Sequence, residues 1–238
     1  MSANNDVSMP NHSKRRTGLI GAGVACLIIV GLILLFVALP LESPVQTDPY
    51  HEQFDNEGTW KVGEGVNAQG FVVDGVYELS IDPDLGGDVF WATAGENFAD
   101  GRYEVEASPL EGAIDNGYGM LFRVDEGKEG FYVFKVSSDG YVFVGRCADS
   151  CLEQEALVNQ DWFDSPSIQT GFGVTNHLKV DVTGSEMVFF VNGVEVGRAT
   201  DDTLKKGDIG LLAETFTPGG LIVAFDNFRI IPIEDAAD

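Results

Sequence analysis

Two apolar runs meet at a tight turn in the stretch Phe71-Val-Val-Asp-Gly-Val-Tyr-Glu-Leu-Ser-Ile81. The Asp74-Gly75 pair supplies the positive φ angles that a two-residue type I′ turn requires, so this stretch predicts a β-hairpin. The pattern recurs in Met187-Val-Phe-Phe-Val-Asn-Gly-Val-Glu-Val196, where Asn192-Gly193 occupies the turn. Local chemistry alone therefore specifies two antiparallel strand pairs.

Short apolar runs separated by Gly, Asp and Asn continue through the chain from Phe54 onward. In Leu178-Lys-Val-Asp-Val182 apolar and charged residues alternate, which is typical of a strand with one buried and one solvated face. About ten strands joined by tight turns favour an all-β fold of two packed antiparallel sheets, a β-sandwich or jelly roll. The remaining predicted strands are Val89–Thr93, Tyr103–Ala107, Tyr118–Val124, Phe131–Val136, Tyr141–Gly145, Ile209–Ala213 and Leu221–Ile230.

A stretch of 22 uncharged residues, 18–39, follows the basic triplet Lys14-Arg15-Arg16. At 1.5 Å per residue a helix of this length spans about 33 Å, which is enough to cross a bilayer core. The positive-inside rule then keeps residues 1–17 in the cytoplasm and places the rest of the chain outside the cell membrane. A cleaved signal peptide is the alternative, but its apolar region is shorter, and Val37-Ala-Leu-Pro40 fits a cleavage site poorly.

We expect three further segments after this transmembrane helix. Residues 40–52 contain three prolines and predict a short stalk, residues 53–231 form the β-sandwich domain, and residues 232–238 form an acidic tail. An oxidising exterior favours a disulfide between Cys147 and Cys151 across their short loop. None of the three histidines lies close to this pair in sequence, which argues against a metal site there.

The exported part of the chain is strongly acidic. Only one of the 38 acidic residues and three of the 14 basic residues precede residue 18, which leaves 37 acids and 11 bases, a formal charge of −26. Such a surface repels phosphate backbones and anionic lipid headgroups, so we expect no nucleic-acid partner. Cations, neutral sugars and basic proteins stay compatible with the charge, and solubility or adaptation to salt is the simplest explanation for it.

Six segments of the chain resemble the concanavalin A-like lectin/glucanase superfamily, in particular a bacterial branch of laminin-G-like and 3-keto-disaccharide hydrolase-type domains, which are similar to family 16 glycosidases. They are Phe54–Trp60, Asp115–Arg123, Gly130–Tyr141, Leu178–Val196, Gly207–Ala213 and Phe225–Ile230. The resemblance implies a jelly roll with a concave face at which relatives bind or cleave saccharides. Because the same sandwich also serves as an adhesion module or a spacer, the fold alone does not assign the function.

A hydrolase would need carboxyl groups in a defined arrangement. Glycosidases of this fold commonly carry Glu-x-Asp-x-(x)-Glu on one strand, and this run does not occur here. The nearest pattern is Glu104-Val-Glu106, but the apolar Tyr103, Val105 and Ala107 on the other parity predict that both acids face solvent. A Gly-x-Ser-x-Gly nucleophile elbow does not occur either. We therefore expect no catalytic residues, and a 3-keto-disaccharide-type hydrolase is the alternative.

A saccharide site combines aromatic surfaces with polar side chains that pair with hydroxyls. Trp162 lies among loop residues in Asp161-Trp-Phe-Asp164 and is the candidate exposed aromatic. Arg123 lies on the strand parity opposite to Tyr118, which predicts that it projects from the face away from the core. The tyrosines have an alternative role in the sandwich core, with their hydroxyls at its rim. The predicted ligand-binding residues are Tyr118, Arg123, Tyr132, Lys135 and Trp162.

A structural Ca²⁺ is the candidate cofactor. Calcium takes six to eight oxygen ligands, and Asp55 and Glu57 near the first strand could share one with Asp226 on the last strand. Asp226 lies between Phe225 and Asn227, where a carboxylate needs a partner. A hydrogen-bonding role or an outward-facing side chain is the alternative for Asp226.

These patterns predict a single-pass membrane protein that displays one β-sandwich outside the cell membrane. We expect the sandwich to be a noncatalytic binding module for carbohydrate or another envelope ligand. The alternatives are the hydrolase and a structural spacer or protein-interaction domain.

Overall fold

The computed structural model describes residues 43–233, except 57, 61–62, 65–66, 85, 88, 126, 128–129 and 148–153. Within these residues the chain forms strands and no α-helix. The strands are β1 (Tyr50–Glu52), β2 (Gly63–Glu64), β3 (Ala68–Val73), β4 (Val76–Ile81), β5 (Val89–Thr93), β6 (Gly101–Gly112), β7 (Gly117–Val124), β8 (Phe131–Ser137), β9 (Tyr141–Cys147), β10 (Glu155–Ala156), β11 (Phe163–Asp164), β12 (Asn176–Thr183), β13 (Glu186–Val191), β14 (Val194–Thr200), β15 (Asp208–Glu214) and β16 (Leu221–Pro232).

The strands form two antiparallel sheets. The nine-stranded sheet has the order β14-β13-β12-β6-β16-β4-β3-β2, with β1 paired to β16. The seven-stranded sheet has the order β10-β9-β8-β7-β15-β5, with β11 paired to β9. The predicted all-β, two-sheet sandwich is therefore confirmed.

Both predicted hairpins form at the expected turns. Asp74 and Gly75 have φ angles of +50° and +81° between β3 and β4, and Asn192 and Gly193 have +51° and +80° between β13 and β14. Positive φ at both turn positions is what the type I′ geometry requires. These two turns fix the register of four strands of the nine-stranded sheet.

The main core lies between the two sheets and follows the period-two pattern. Leu178, Val180 and Val182 on β12 are fully buried, as their alternation with charged residues predicted. Aromatic rings from both sheets meet in the middle of the sandwich, where the Phe134 and Phe189 centroids lie 5.2 Å apart in an edge-to-face arrangement. Such contacts stabilise a core beyond simple area burial.

The outer face of the seven-stranded sheet carries a second, smaller apolar cluster. Leu121, Val133 and Leu212 are fully buried there, although they point away from the sandwich core. Trp91, which pairs with Leu212, and the loop residue Trp162 both pack against this cluster. An apolar face that loops cover only in part leaves a groove, and the candidate site lies in this groove.

The stalk assignment needs one correction, because β1 lies at its end. Tyr50 pairs with Ile230 of β16, and its hydroxyl accepts a hydrogen bond of 2.9 Å from the Trp60 indole. Tyr50 also packs edge-to-face on Phe98 with centroids 5.9 Å apart. Residues 50–52 therefore belong to the nine-stranded sheet and not to a stalk. The compact unit begins at Ser43.

Several predictions fall on residues outside the described part of the chain. Segments 1–17, 18–39 and most of the acidic tail lie there, and among the described residues no helix is long and apolar enough to cross a membrane. Cys147 is buried and disulfide-bonded. Cys151 is outside the described residues, so the Cys147–Cys151 pairing stays a prediction.

Candidate functional site

A groove on the outer face of the seven-stranded sheet is the candidate site. It consists of two adjoining cavities of about 310 and 410 Å³, and Trp162 and Phe216 line both. The first cavity is otherwise lined by Asp115, Ser137, Asp139 and Tyr141. The second is otherwise lined by Gly87, Val89, Lys135, Phe143, Gln154 and Glu214. Both volumes suit a small-molecule ligand or a short oligomer segment.

Two glycines on β7 make room for this groove. Gly117 pairs with Ser137 on one side and Glu214 on the other, while Gly119 pairs with Lys135 and Leu212. A Cβ atom on Gly117 would lie 3.0 Å from Cη2 of Trp162. The missing side chains therefore let an indole lie over the sheet and let groups from β8 and β15 meet across β7.

A buried lysine forms the polar floor of the second cavity. Lys135 is 2% exposed; its Nζ donates to Glu214 Oε2 and, at 2.9 Å, to Gln154 Oε1. The ammonium also lies 4.5 Å from the Phe143 ring centroid and 5.2 Å from that of Trp162. Burial lowers the Lys135 pKa, and the Glu214 carboxylate opposes that change. The floor thus contains the ion pair of Lys135 and Glu214, and the Lys135 ammonium orients the side chains of both Glu214 and Gln154.

Aromatic rings form the walls. The Trp162 indole lies between Phe143 and Phe216, with centroid distances of 5.5 and 5.9 Å, and it meets Phe216 nearly at a right angle. Phe216 and Tyr141 are each 42% exposed. These rings offer the cavity a partly exposed apolar surface.

Two carboxylates line the first cavity. Ser137 is buried, accepts a hydrogen bond of 3.1 Å from the Tyr141 amide and donates its own hydroxyl to Asp139 Oδ1. This relay fixes the Asp139 side chain at the cavity wall. Asp115 lines the same cavity and is exposed. The first cavity therefore offers carboxylate hydrogen-bond acceptors beside aromatic faces.

The structure brings together only two of the five predicted ligand-binding residues, Lys135 and Trp162. Tyr118 and Tyr132 are at most 1% exposed and point into the core between the sheets, which is their alternative role. Burial raises the pKa of each to about 12. Neither tyrosine lines the groove, because the parity of each strand directs its side chain to the opposite face of the sheet.

Arg123 does not follow the predicted parity. Its φ of +50° interrupts the alternation of β7, so Val124 joins Leu121 in the outer-face cluster, and loops enclose the Arg123 side chain at one end of the sandwich. Its guanidinium donates to Asp100 Oδ1 at 2.6 Å and to the carbonyls of Gly184 and Leu204 at 3.0 and 2.9 Å. With 1% exposure and a φ of +50°, Arg123 ties three loops together at one end of the sandwich. Arg123 also lines a cavity of about 600 Å³ with Asp100 and Lys205, apart from the groove, so its predicted contact with a ligand stays a prediction.

The predicted calcium ligands are only partly described, because Glu57 lies outside the described residues. Asp226 accepts hydrogen bonds of 2.6 and 3.2 Å from the backbone and side-chain amides of Asn227. Burial raises the Asp226 pKa, and the neighbouring Glu106 and Asp55 carboxylates add to the effect. Among the described residues no group of three or more His, Cys, Asp or Glu is arranged to hold a metal. The calcium site stays a prediction.

The Glu104–Glu106 pair faces away from the core, as the parity argument predicted. Tyr103, Val105 and Ala107 between and beside these acids are fully buried. Glu106 accepts a hydrogen bond of 3.0 Å from the Asn227 amide. The pair therefore lies on the outer face of the nine-stranded sheet, opposite to the groove.

Sequence reasoning missed several groove residues. Glu214 follows Leu212 with period two on β15, and extending the predicted strand 209–213 by one residue would have placed it on the outer face. The alternating Gly117 and Gly119 were the sequence signal for a groove across β7. Gln154 and Phe216 lie on loops, where no periodic pattern reports their position.

No protein-family model matches the sequence, and no curated protein matches it. Solved structures do match. The CBM66 carbohydrate-binding module of Bacillus subtilis aligns with a TM-score of 0.57 and 16% identity, over 72% of this chain and 94% of its own. The Bacillus licheniformis β-glucanase aligns with a TM-score of 0.57 and 11% identity, over 79% of this chain and 100% of its own.

A third solved structure, the Crh5 transglycosylase, aligns with a TM-score of 0.59 and 13% identity, over 83% of this chain and 90% of its own. The matched structures thus include a binding module, a hydrolase and a transglycosylase. At these identities the likeness establishes a common fold and leaves the activity of this chain to be argued from its own site.

Proposed function

We propose that this domain, a jelly roll of the concanavalin A-like fold, is a noncatalytic carbohydrate-binding module that holds a saccharide in the groove over the seven-stranded sheet. The observation that carries the proposal is the arrangement of Trp162 and Phe216 over the polar floor of Lys135, Gln154 and Glu214. Sugar rings have apolar C–H faces that pack on aromatic rings, and equatorial hydroxyls that pair with planar polar groups. This groove presents both surfaces within one cleft.

Replacing Trp162 tests this site. We expect Trp162→Ala to weaken saccharide binding by roughly 10- to 30-fold, because a central tryptophan supplies much of the buried apolar contact of a binding surface. The measurement is a survey of the full-length chain against a broad glycan collection, followed by calorimetric titration of the best ligand. Phe71→Ala is the matched control, since Phe71 is 38% exposed on the other sheet.

Thermal denaturation of both variants separates a binding loss from misfolding. An unchanged affinity for Trp162→Ala in a folded protein would exclude the groove as the saccharide site. If the wild-type chain bound no glycan in the collection, a spacer or a protein-interaction role would be favoured instead.

Hydrolysis is the second candidate function, and Glu214 is the observation in its favour. Glu214 places a carboxylate on the groove floor, and Asp139 and Asp115 line the adjoining cavity. Glycosidases require two carboxyl groups flanking the scissile bond. In the described structure Glu214 Oε2 accepts a hydrogen bond from Lys135, which suits a positioning role. Product release from any glycan, abolished by Glu214→Gln, would establish hydrolysis and overturn the noncatalytic assignment.

We also propose that residues 18–39 anchor the domain to the cell membrane with residues 1–17 in the cytoplasm. The support is the length and lack of charge of the segment together with the preceding Lys14-Arg15-Arg16. Deleting residues 18–39 should move the protein from the membrane fraction to the soluble fraction. A wild-type chain that fractionates as soluble would contradict the anchor.

A further inference from the structure

The first cavity of the groove has a distinct composition. It is lined by the aromatic side chains of Trp162, Phe216 and Tyr141, by the carboxylates of Asp115 and Asp139, and by Ser137. We call these six residues the acidic aromatic pocket. None of them is basic. The pocket therefore combines three aromatic rings with two carboxylates and no positive charge of its own.

The charge around the pocket is not neutralised by its neighbours in the groove. Lys135 lies in the adjoining cavity, but it is 2% exposed and its ammonium is already bound to Glu214. The chain as a whole carries a formal charge of −24. A cavity with low-dielectric walls focuses such a field, so the pocket attracts cations and repels uronic acids and sulfated sugars.

The hydrogen-bonding groups of the pocket favour a cationic donor, as its charge does. Ionised carboxylates only accept hydrogen bonds, whereas an alkylammonium group donates three. The Ser137 hydroxyl is used by Asp139 and by the Tyr141 amide, so it holds the acceptor in place. Aromatic faces add a further attraction for a cation that approaches within about 6 Å of a ring centroid.

We propose that the acidic aromatic pocket selects a protonated amine on the saccharide, so that the preferred ligand is an amino sugar with a free amine, of the glucosamine type. This inference rests on the proposed saccharide-binding function and names its ligand class. In the bound state the ammonium pairs with the carboxylates that line the pocket, and the sugar ring packs on Trp162. An N-acetyl group removes the positive charge and two of the three donors, so acetylation is the natural test of the selectivity.

The experiment compares two ligands that differ only in this group. The full-length chain is titrated at about pH 6, where alkylamines are protonated, with a glucosamine tetramer and with the fully N-acetylated tetramer. We expect at least tenfold tighter binding of the free amine. We expect this preference to shrink as salt is raised, because the pocket is open to solvent and screening weakens exposed charge pairs.

Charge-neutral substitutions identify the pocket residues. Asp139→Asn and Asp115→Asn should each weaken binding of the free amine by about tenfold, which is the scale of a charge-assisted hydrogen bond, and leave the acetylated ligand unaffected. Asp164→Asn is the matched control, because Asp164 is an exposed acid on β11 that does not line the pocket. It should leave both affinities unchanged.

The outcomes distinguish the two proposals. Equal binding of both tetramers, lost in Trp162→Ala, would overturn the amine selectivity and leave the saccharide groove intact. An equal loss of free-amine affinity in Asp164→Asn and Asp139→Asn would also overturn it, because general acidity would then explain the preference. Binding of tetramethylammonium without binding of either tetramer or any other glycan would overturn the saccharide function itself.

Discussion

Arg123→Met is expected to destabilise the domain by about 3–5 kcal/mol, the usual cost of removing one partner of a buried ion pair. Methionine keeps most of the apolar stem but leaves the Asp100 carboxylate without its cation. It also leaves the carbonyls of Gly184 and Leu204 without the donors that now lie 3.0 and 2.9 Å away. The measurement is the free energy of unfolding from urea denaturation monitored by fluorescence and circular dichroism.

Arg102→Met is the matched control for this prediction. Arg102 also forms an ion pair, with Asp181 at 2.6 Å, but its side chain is 45% exposed. Exposed pairs contribute about 0–1 kcal/mol, so this variant should unfold close to the wild type. A loss below about 1 kcal/mol for Arg123→Met would show that the three loops do not depend on the guanidinium.

Alkaline unfolding is the second large effect that the structure predicts. Burial raises the pKa of Tyr50, Tyr77, Tyr118 and Tyr132 to about 12, and it raises the pKa of Tyr103 as well. In the unfolded chain these phenols ionise near pH 10. The folded state therefore holds more protons than the unfolded state above pH 10, so its stability falls as the pH rises from about 10 to 12.

The size of this effect is large because several groups act together. A shift of two pKa units corresponds to about 3 kcal/mol for each buried tyrosine, and a domain is stable by only about 5–15 kcal/mol. We expect cooperative unfolding between about pH 10 and 12, with phenolate absorbance and circular dichroism changing together. Tyr118→Phe should move the midpoint to higher pH. Stability that stays flat over this range would contradict the burial of these phenols.

Short-range sequence patterns predict much of the fold. The Asp74-Gly75 and Asn192-Gly193 turns determine their hairpins through backbone φ preferences, which involve no distant residue. The alternation in 178–182 determines which side of β12 enters the core. These features depend on neighbours in sequence, and for that reason the all-β sandwich was predictable.

The site was only partly predictable, because it depends on contacts between residues far apart in sequence. The parity argument failed for Arg123, because its φ of +50° breaks the alternation of β7. Its guanidinium meets the loops carrying Gly184 and Leu204, and no local pattern reports their path. Lys135 meets Glu214 across β7 only because Gly119 and Gly117 leave space between their strands. The loop composition around Trp162 did indicate an exposed aromatic, and the structure places it in the groove.

The most direct test of the central claim follows the indole N–H resonances during a saccharide titration. The chain has three tryptophans, and Trp60 is 3% exposed with its indole bonded to Tyr50, so it serves as an internal reference. If the groove over the seven-stranded sheet is the binding site, the Trp162 resonance shifts with saturation while the Trp60 resonance does not. Saturable binding that leaves the Trp162 resonance unmoved would contradict the account and place the saccharide elsewhere on the domain.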